Sequence, residues 1–194
     1  MDTLPFSIAV RGIQELPDMA DAGVTHVLSI LDPEWPVPDA FAAYAAHERL
    51  ELRFHDVIED TPGLIAPAEH HVAELLAFGR TLDAEPDGGH LLVHCHAGIS
   101  RSTASMILMI LQARPALSAR EVAQGVLAIR EKAWPNLRLI EMGERALGRE
   151  GEIVDAVRDL YGAQLVIRPH LAEVMTKSGR GREVALARMP EAGI

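Results

Sequence analysis

The most constraining feature of the sequence is a strand, a tight loop and a helix that follow one another without a gap around the only cysteine. Residues 91–93 have the length and apolar character of a buried strand, and His94 and Cys95 follow directly. Arg101 then opens an apolar stretch to residue 113, which predicts a buried helix that ends before Pro115. The chain must therefore turn within six residues, which places Cys95 at the C-terminal end of a strand.

Strands and helices alternate along the rest of the chain. Residues 25–31 are β-branched and almost continuously apolar, as in a strand covered on both faces, and Asp32-Pro33 ends it. Apolar spacing predicts the other elements, which are strands over 7–10 and 50–54 and helices over 12–22, 41–47, 67–79, from 118, from 135 and over 153–161. This alternation predicts an α/β fold, with a central, mostly parallel sheet flanked by helices and a site at the C-terminal ends of the strands.

Length and charge limit the domain organisation and the partners. With 194 residues, of which 48% are hydrophobic, the chain can form one domain with a substantial core. The pattern weakens from Gly151, so we expect a main domain over 1–150 and a C-terminal helix and tail over 151–194, with residues 178–181 in the tail. A net charge of −10 argues against nucleic acid and anionic membrane as partners. We expect a soluble, cytoplasmic protein, because residues 1–10 lack the features of a signal peptide.

A single cysteine excludes an internal disulfide and a thiolate metal cluster, so Cys95 is either a buried apolar filler or a reactive thiol. The neighbouring His70 and His71 diverge on a predicted helix and do not form a metal site. We therefore expect neither a metal nor another cofactor.

The segment around Cys95 has what a phosphate needs beside a nucleophile: converging backbone N–H donors, a bidentate cation and a thiolate. Small Ala97 and flexible Gly98 allow close backbone approach, Arg101 closes the loop, and the positive end of the following helix favours the thiolate. Ser102 can place its hydroxyl beside the sulfur. The predicted phosphate-binding residues are His96, Ala97, Gly98, Ile99, Ser100 and Arg101.

This His-Cys-x5-Arg-Ser segment resembles the signature loop of the protein tyrosine phosphatases, and over residues 6–147 the layout is similar to the compact dual-specificity type. The resemblance implies a phosphotyrosine phosphatase-like fold and hydrolysis of phosphoric monoesters through a cysteinyl-phosphate intermediate. It implies that Cys95 is the nucleophile, that Arg101 binds phosphate and stabilises the transition state, and that Ser102 helps the thiolate to leave. His94 would orient the loop. Residues 54–57 are more narrowly similar to predicted bacterial tyrosine phosphatases.

The family also supplies a general acid, an aspartate from a loop upstream of the cysteine, and two residues compete for this role here. Asp60 has the spacing to the next helix that is typical of dual-specificity enzymes, whereas Asp56 ends a strand and matches the bacterial group. Both alternatives stay open, with Glu59 behind them, and Asp32 is interpreted as a turn residue at the end of its strand.

The resemblance and the loop composition together imply a substrate class. The loop holds no lysine, whereas phosphoinositide phosphatases of this superfamily typically place lysines there, so one monoester is expected. Phosphotyrosine is favoured, and phosphoserine or phosphothreonine, as in a dual-specificity enzyme, is the alternative if the pocket is shallow. Partners would be a phosphorylated protein or a small phosphomonoester. The alternative functions are a rhodanese-like sulfurtransferase and a catalytically idle phosphate-binding module. Arg101-Ser102 and the upstream acidic loop argue against the first, and intact Cys95 and Arg101 against the second.

Overall fold

A four-stranded parallel sheet lies at the centre of the computed structural model, which describes residues 6–82 and 88–189. The strands are β1 (Ser7–Gly12), β2 (His26–Leu31), β3 (Glu48–Arg53) and β4 (His90–Cys95), in the order β1-β4-β2-β3. Every neighbouring pair is parallel, and the register aligns Gly12 with Cys95. The predicted α/β fold is thus confirmed, and the strands share one C-terminal edge, at which β4 ends on Cys95.

The described residues also form seven α-helices. They are α1 (Glu69–Thr81), α2 (Arg101–Ala113), α3 (Ala119–Ile129), α4 (Leu137–Leu147), α5 (Glu152–Ile167), α6 (Leu171–Lys177) and α7 (Gly181–Ala187). None of these helices is long and apolar enough to cross a membrane. The helices predicted over 12–22 and 41–47 are wrong: short 3-10 turns occupy Ile13–Glu15, Pro17–Met19 and Asp39–Ala43. Pro17 cannot donate the backbone hydrogen bond that a continuous helix needs.

Helix α2 is the central element of the core. Its residues from Arg101 to Leu111 are all buried, because α1, α3, α4 and β4 pack around it. Each large apolar side chain removed from water there contributes roughly 1.5–3 kcal/mol. The close packing extends to the backbone, since a Cβ atom on Gly143 of α4 would lie 2.3 Å from the Leu108 side chain. The N-terminus of α2 is therefore held in a fixed place beside Cys95.

The described C-terminal segment packs into the same core. Ile153, Tyr161 and Val184 join the hydrophobic cluster that includes α2, and α5 lies against α3 and α4. The domain boundary at residue 150 stays a prediction, but the expected tail over 178–181 is wrong. Arg180 is buried and α7 begins at the next residue, because polar partners inside the protein satisfy the guanidinium.

Candidate active site

The loop between β4 and α2 begins at Cys95, which is 2% exposed. It packs against the end of β1, where the backbones approach so closely that a side chain does not fit. Gly98 has φ +67°, and a Cβ atom there would lie 2.5 Å from the carbonyl carbon of Arg11. A residue without a Cβ atom is needed both for the left-handed backbone and for this contact. The glycine therefore permits the tight turn around the sulfur.

The backbone of the loop is polarised. Every carbonyl from residue 96 to 100 accepts a hydrogen bond from the surrounding protein. The His96 carbonyl accepts from the Ile13 amide, and those of Ala97 and Gly98 accept from the Arg130 guanidinium. The Ile99 carbonyl accepts from the Trp134 amide and the Thr103 hydroxyl. The Ser100 carbonyl accepts from the same hydroxyl and from the Ala104 and Asn136 amides. Over residues 96–101, in contrast, no amide N–H donates to an acceptor in the part of the chain that the structure describes. A loop with bonded carbonyls and available amides is an anion cradle.

Arg101 is the buried cation of this cradle, with only 3% of its surface exposed. Its Nη1 donates to Asp32 Oδ1 at 2.6 Å and to the Phe54 carbonyl at 2.5 Å. Its Nε is buried and has no hydrogen-bond partner among the described residues. Nη1 is therefore held by protein, whereas Nε is available to a ligand. A buried donor without an acceptor costs about 1–3 kcal/mol, and a bound anion would remove that cost.

Asp32 does more than form the turn that the sequence indicates at the end of its strand. It follows β2, the neighbour of β4, so its carboxylate reaches the cradle at the C-terminal edge of the sheet. The sequence did carry a signal for this position, because polar residues at the ends of adjacent parallel strands converge.

Two further predicted residues lie directly against Cys95. The Ser102 hydroxyl oxygen is 3.2 Å from the Cys95 sulfur. His94, which precedes the cysteine, is fully buried and its Nε2 pairs with the Ser29 hydroxyl at 2.7 Å. Burial lowers the pKa of His94 to about 4, so the ring is neutral at physiological pH.

The two candidate acids lie in different environments. Asp56 is close to the loop, where its Oδ1 accepts from the Ser100 hydroxyl at 2.7 Å, Asn136 Nδ2 at 2.9 Å and Arg180 Nη1 at 3.3 Å. Burial by itself raises the pKa of Asp56, but the Arg180 and Arg101 cations and these hydrogen bonds outweigh it and lower the pKa. Asp60 has an 87% exposed side chain and pairs with Arg138 at 2.8 Å.

Arg130 supports the loop from outside and was missed by sequence reasoning. Its Nε donates to the Gly98 carbonyl at 2.9 Å, its Nη2 to the Ala97 carbonyl at 2.7 Å and its Nη1 to Glu15 at 2.7 Å. The hydrogen bond from Arg130 lowers the pKa of Glu15, which also accepts from the Gly12 amide. No local pattern marks this arginine, because it follows α3 and only the fold brings it to the loop.

An exposed aromatic ring stands beside the loop. The centre of the Trp35 ring lies 4.6 Å from that of His96, while 45% of the tryptophan remains exposed. Arg53 fixes the backbone under it by donating to the carbonyls of Asp32, Pro33 and Trp35. The Trp35 ring is thus an accessible apolar surface beside the loop, on a backbone segment that Arg53 holds in place.

No protein-family model matches the chain. Dual specificity protein phosphatase 12 of Rattus norvegicus is 32% identical over 160 residues, a match that covers 77% of this chain and 42% of that protein. Dual specificity protein phosphatase 15 of Mus musculus is 32% identical over 113 residues, which cover 58% of this chain and 42% of that protein. The chain thus spans less than half the length of these curated relatives.

Solved structures share the fold. Human DUSP28 has a TM-score of 0.54 at 21% identity, and the match covers 74% of this chain and 95% of that one. A crystal structure of DUSP15 has a TM-score of 0.53 at 24% identity and covers 82% of this chain and 93% of its own. The chain is therefore similar in sequence to dual-specificity phosphatases and shares their fold. The resemblance that the sequence predicted, to a dual-specificity phosphatase-like protein, is confirmed.

Proposed function

We propose that the chain hydrolyses phosphoric monoesters through a cysteinyl-phosphate intermediate on Cys95. The observation that supports this most is the polarised loop that follows Cys95, whose carbonyls are bonded to the surrounding protein while its amides and the Arg101 Nε have no acceptor among the described residues. Donors fixed in advance around an anion stabilise a charged transition state without reorganisation. The likeness to dual-specificity phosphatases agrees with this chemistry.

The reaction takes two displacements at phosphorus. The Cys95 thiolate attacks, so that the phosphorus–sulfur bond forms while the bond to the leaving oxygen breaks, and a general acid gives that oxygen its proton. Water then attacks the phosphocysteine and loses a proton to the same carboxylate, and the sulfur leaves as a thiolate. Ser102, 3.2 Å from the sulfur, stabilises that leaving thiolate by donating its hydroxyl proton in a hydrogen bond.

We assign the general acid to Asp60 and a tethering role to Asp56. Three donors hold the Asp56 carboxylate and lower its pKa, so taking up a proton there is disfavoured and would break the contacts that tie Asp56 to the loop. Asp60 lies in a stretch, residues 59–65, that is exposed throughout, and its solvent-exposed pair with Arg138 is worth no more than about 1 kcal/mol. Asp60 can therefore leave Arg138 at small cost when a substrate arrives.

The substrate class that we propose is phosphotyrosine. The loop between Cys95 and Arg101 contains no lysine that would collect further phosphates. Trp35, fixed and exposed beside His96, offers a face on which a phosphotyrosyl ring can stack. A phosphoserine side chain is shorter and lacks a ring for this contact, so tyrosine is favoured.

Hydrolysis of p-nitrophenyl phosphate by the wild type, Cys95→Ser and Arg101→Ala tests the nucleophile and the cation. Both variants should lose turnover, while Cys95→Ser should still bind orthovanadate because the cradle is intact. Arg145→Ala is the matched control, since Arg145 is exposed on α4 and its pair with Glu69 is a surface contact. Near-wild-type turnover by Cys95→Ser would refute the proposal. Cys95-dependent consumption of thiosulfate without phosphatase activity would instead indicate a sulfurtransferase.

The acid is tested by comparing leaving groups. Asp60→Asn should lower kcat/KM on a phosphotyrosine peptide by ~10²–10⁴-fold and much less on p-nitrophenyl phosphate, whose leaving oxygen needs little protonation. Asp56→Asn should lower both substrates alike, because it disturbs the loop rather than proton transfer. The reverse pattern, with the leaving-group dependence at Asp56, would exchange the two roles.

A further inference from the structure

A buried arginine from the C-terminal segment reaches the phosphate loop. Arg180 lies immediately before α7, is 5% exposed, and donates from Nη1 to the Ser100 hydroxyl at 2.8 Å and to Asp56 Oδ1 at 3.3 Å. The Ser100 hydroxyl in turn donates to Asp56 at 2.7 Å. Because Ser100 accepts from one partner and donates to the other, the orientation of its hydroxyl is fixed.

The guanidinium is itself held by a buried carboxylate. Glu183 is fully buried and accepts from Arg180 Nε at 2.8 Å and from Nη2 at 2.7 Å, a two-pronged pair of the strong kind. Glu183 also accepts from the Trp134 indole at 2.6 Å and from the Leu137 amide at 3.0 Å. Since the Trp134 amide donates to the Ile99 carbonyl, this buried unit touches the loop at two points.

Docking α7 by itself does not require these charges. Val184 already joins the hydrophobic core, and apolar contacts dock a helix without the desolvation penalty of a buried ion cluster. The pair of Arg180 and Glu183 does what apolar packing cannot do, because it brings a cation to the Ser100 hydroxyl and to the Asp56 carboxylate. We infer that Arg180 is a positioning residue of the active site, which fixes Ser100 and Asp56 so that the loop keeps its phosphate-binding shape. This inference rests on the proposed function.

A change in pH dependence follows from the same geometry. Without the Arg180 cation the pKa of Asp56 should rise, because burial would then be less opposed. The charged and titratable groups that act on Asp56 or on Arg180 are Arg180, Arg101, His96, Glu183 and Tyr161. If the loop needs Asp56 ionised, the acidic limb of the pH profile of kcat/KM should move to higher pH when Arg180 is replaced by a neutral residue. The limb should stay near its wild-type pH when a lysine keeps the positive charge.

The experiment compares Arg180→Gln and Arg180→Lys with the wild type, and Arg188→Ala, exposed at the end of the same helix, is the control. Arg180→Gln should lower kcat/KM on p-nitrophenyl phosphate on the order of 10²-fold, the size expected when reacting groups are displaced by about 1 Å. Its acidic limb should move up, and inorganic phosphate, measured by calorimetry, should bind more weakly. Arg180→Lys should restore the position of the limb.

Thermal unfolding of each variant separates positioning from folding. If Arg180→Gln keeps the wild-type pH profile and phosphate affinity, or if its loss of activity equals its loss of folded protein, the inference is refuted. Where Arg180→Gln does not fold, Arg180→Lys decides. A single ammonium group keeps the charge but cannot reproduce both the two-pronged pair with Glu183 and the bond to Ser100, so kcat/KM and phosphate affinity should fall while the acidic limb stays in place. Wild-type values of both in that variant would refute the inference. Phosphate binding also tests Arg180 in the absence of turnover. A wild type without Cys95-dependent hydrolysis would therefore overturn the proposed function, while weaker phosphate binding by Arg180→Gln would still support the positioning role.

Discussion

The buried histidine before Cys95 should make the stability of the protein depend on pH. His94 is fully buried, and its pKa is lowered from 6.5 to about 4 in the folded chain. Between these two values the unfolded chain binds a proton that the folded chain does not. The free energy of unfolding should therefore fall as the pH falls from about 6.5 towards 4.

The size of the effect follows from the two pKa values. At pH 5, which is about 1.5 units below the unfolded pKa, the unfolded side chain is protonated while the folded ring stays neutral. This difference in proton binding lowers the free energy of unfolding by about 2 kcal/mol, at 1.36 kcal/mol per unit. At pH 7 the same group contributes almost nothing. We therefore expect His94 alone to remove about 2 kcal/mol of stability between pH 7 and pH 5.

Urea unfolding at pH 7 and pH 5 measures this difference in the wild type and in His94→Gln, which cannot titrate. Glutamine can still hydrogen-bond the Ser29 hydroxyl that pairs with His94 Nε2. The wild type should lose about 2 kcal/mol more than the variant over this interval, because other titrating groups are shared by both. His170→Gln, at an exposed position before α6, is the control. Equal losses in the wild type and His94→Gln would refute the reasoning.

Three substitutions test the outer parts of the site. Arg130→Met should lower kcat/KM by about 10–10²-fold, because two loop carbonyls lose their donor, while most of the protein stays folded. Arg145→Ala, which removes only a surface pair, should leave kcat/KM unchanged. Gly98→Ala should abolish oxyanion binding in a calorimetric titration, since its Cβ atom meets backbone at 2.5 Å; Gly148→Ala, with the same sign of φ and open space, should cost about 1–2 kcal/mol of stability and no activity. Trp35→Ala should raise KM for a phosphotyrosine peptide by about 10-fold and leave that for a phosphoserine peptide unchanged, with Trp35→Phe close to wild type. Equal effects on both peptides would remove Trp35 as a ring contact.

The fold was predictable where a local pattern and the tertiary environment agree. The β-branched run that became β2 is buried at every position. The helix predicted from 118 forms as α3, with Ser118 as its N-cap in a capping box with Glu121. The prediction failed over 12–22, where apolar spacing suggested a helix. There Pro17 cannot donate a helical hydrogen bond, and Gly12 lies close to the backbone of Ala97, so two short turns form in place of a helix.

The sequence predicted those parts of the candidate site that are close together along the chain. The cysteine, the loop and Arg101 lie within seven residues, so their spacing, together with the apolar strand before them, the glycine between them and the helix after them, predicted an anion-binding loop. Their supports come from far along the chain: Asp32 is 69 residues from Arg101, Arg130 is 32 residues from Gly98, and Arg180 is 124 residues from Asp56. Each is an ordinary charged residue in its own segment, and only the folded chain gives it a partner.

These supports share one arrangement, in which each arginine at the loop is paired with a carboxylate. Arg101 pairs with Asp32, Arg130 with Glu15, and Arg180 with Glu183 and Asp56. The pairing cancels much of the positive charge locally, which is consistent with a chain whose net charge is −10.

The three arginines differ in what their remaining donors do. Arg130 and Arg180 direct theirs to loop carbonyls, a loop hydroxyl and carboxylates, whereas Arg101 keeps a buried Nε without a partner in the described chain. In Arg130 and in Arg180 each of the three guanidinium nitrogens donates to protein, so these side chains shape the loop rather than attract a second phosphate. Arg101 is therefore the arginine of these three that keeps a donor for a ligand, which agrees with the proposed substrate, a single phosphate monoester.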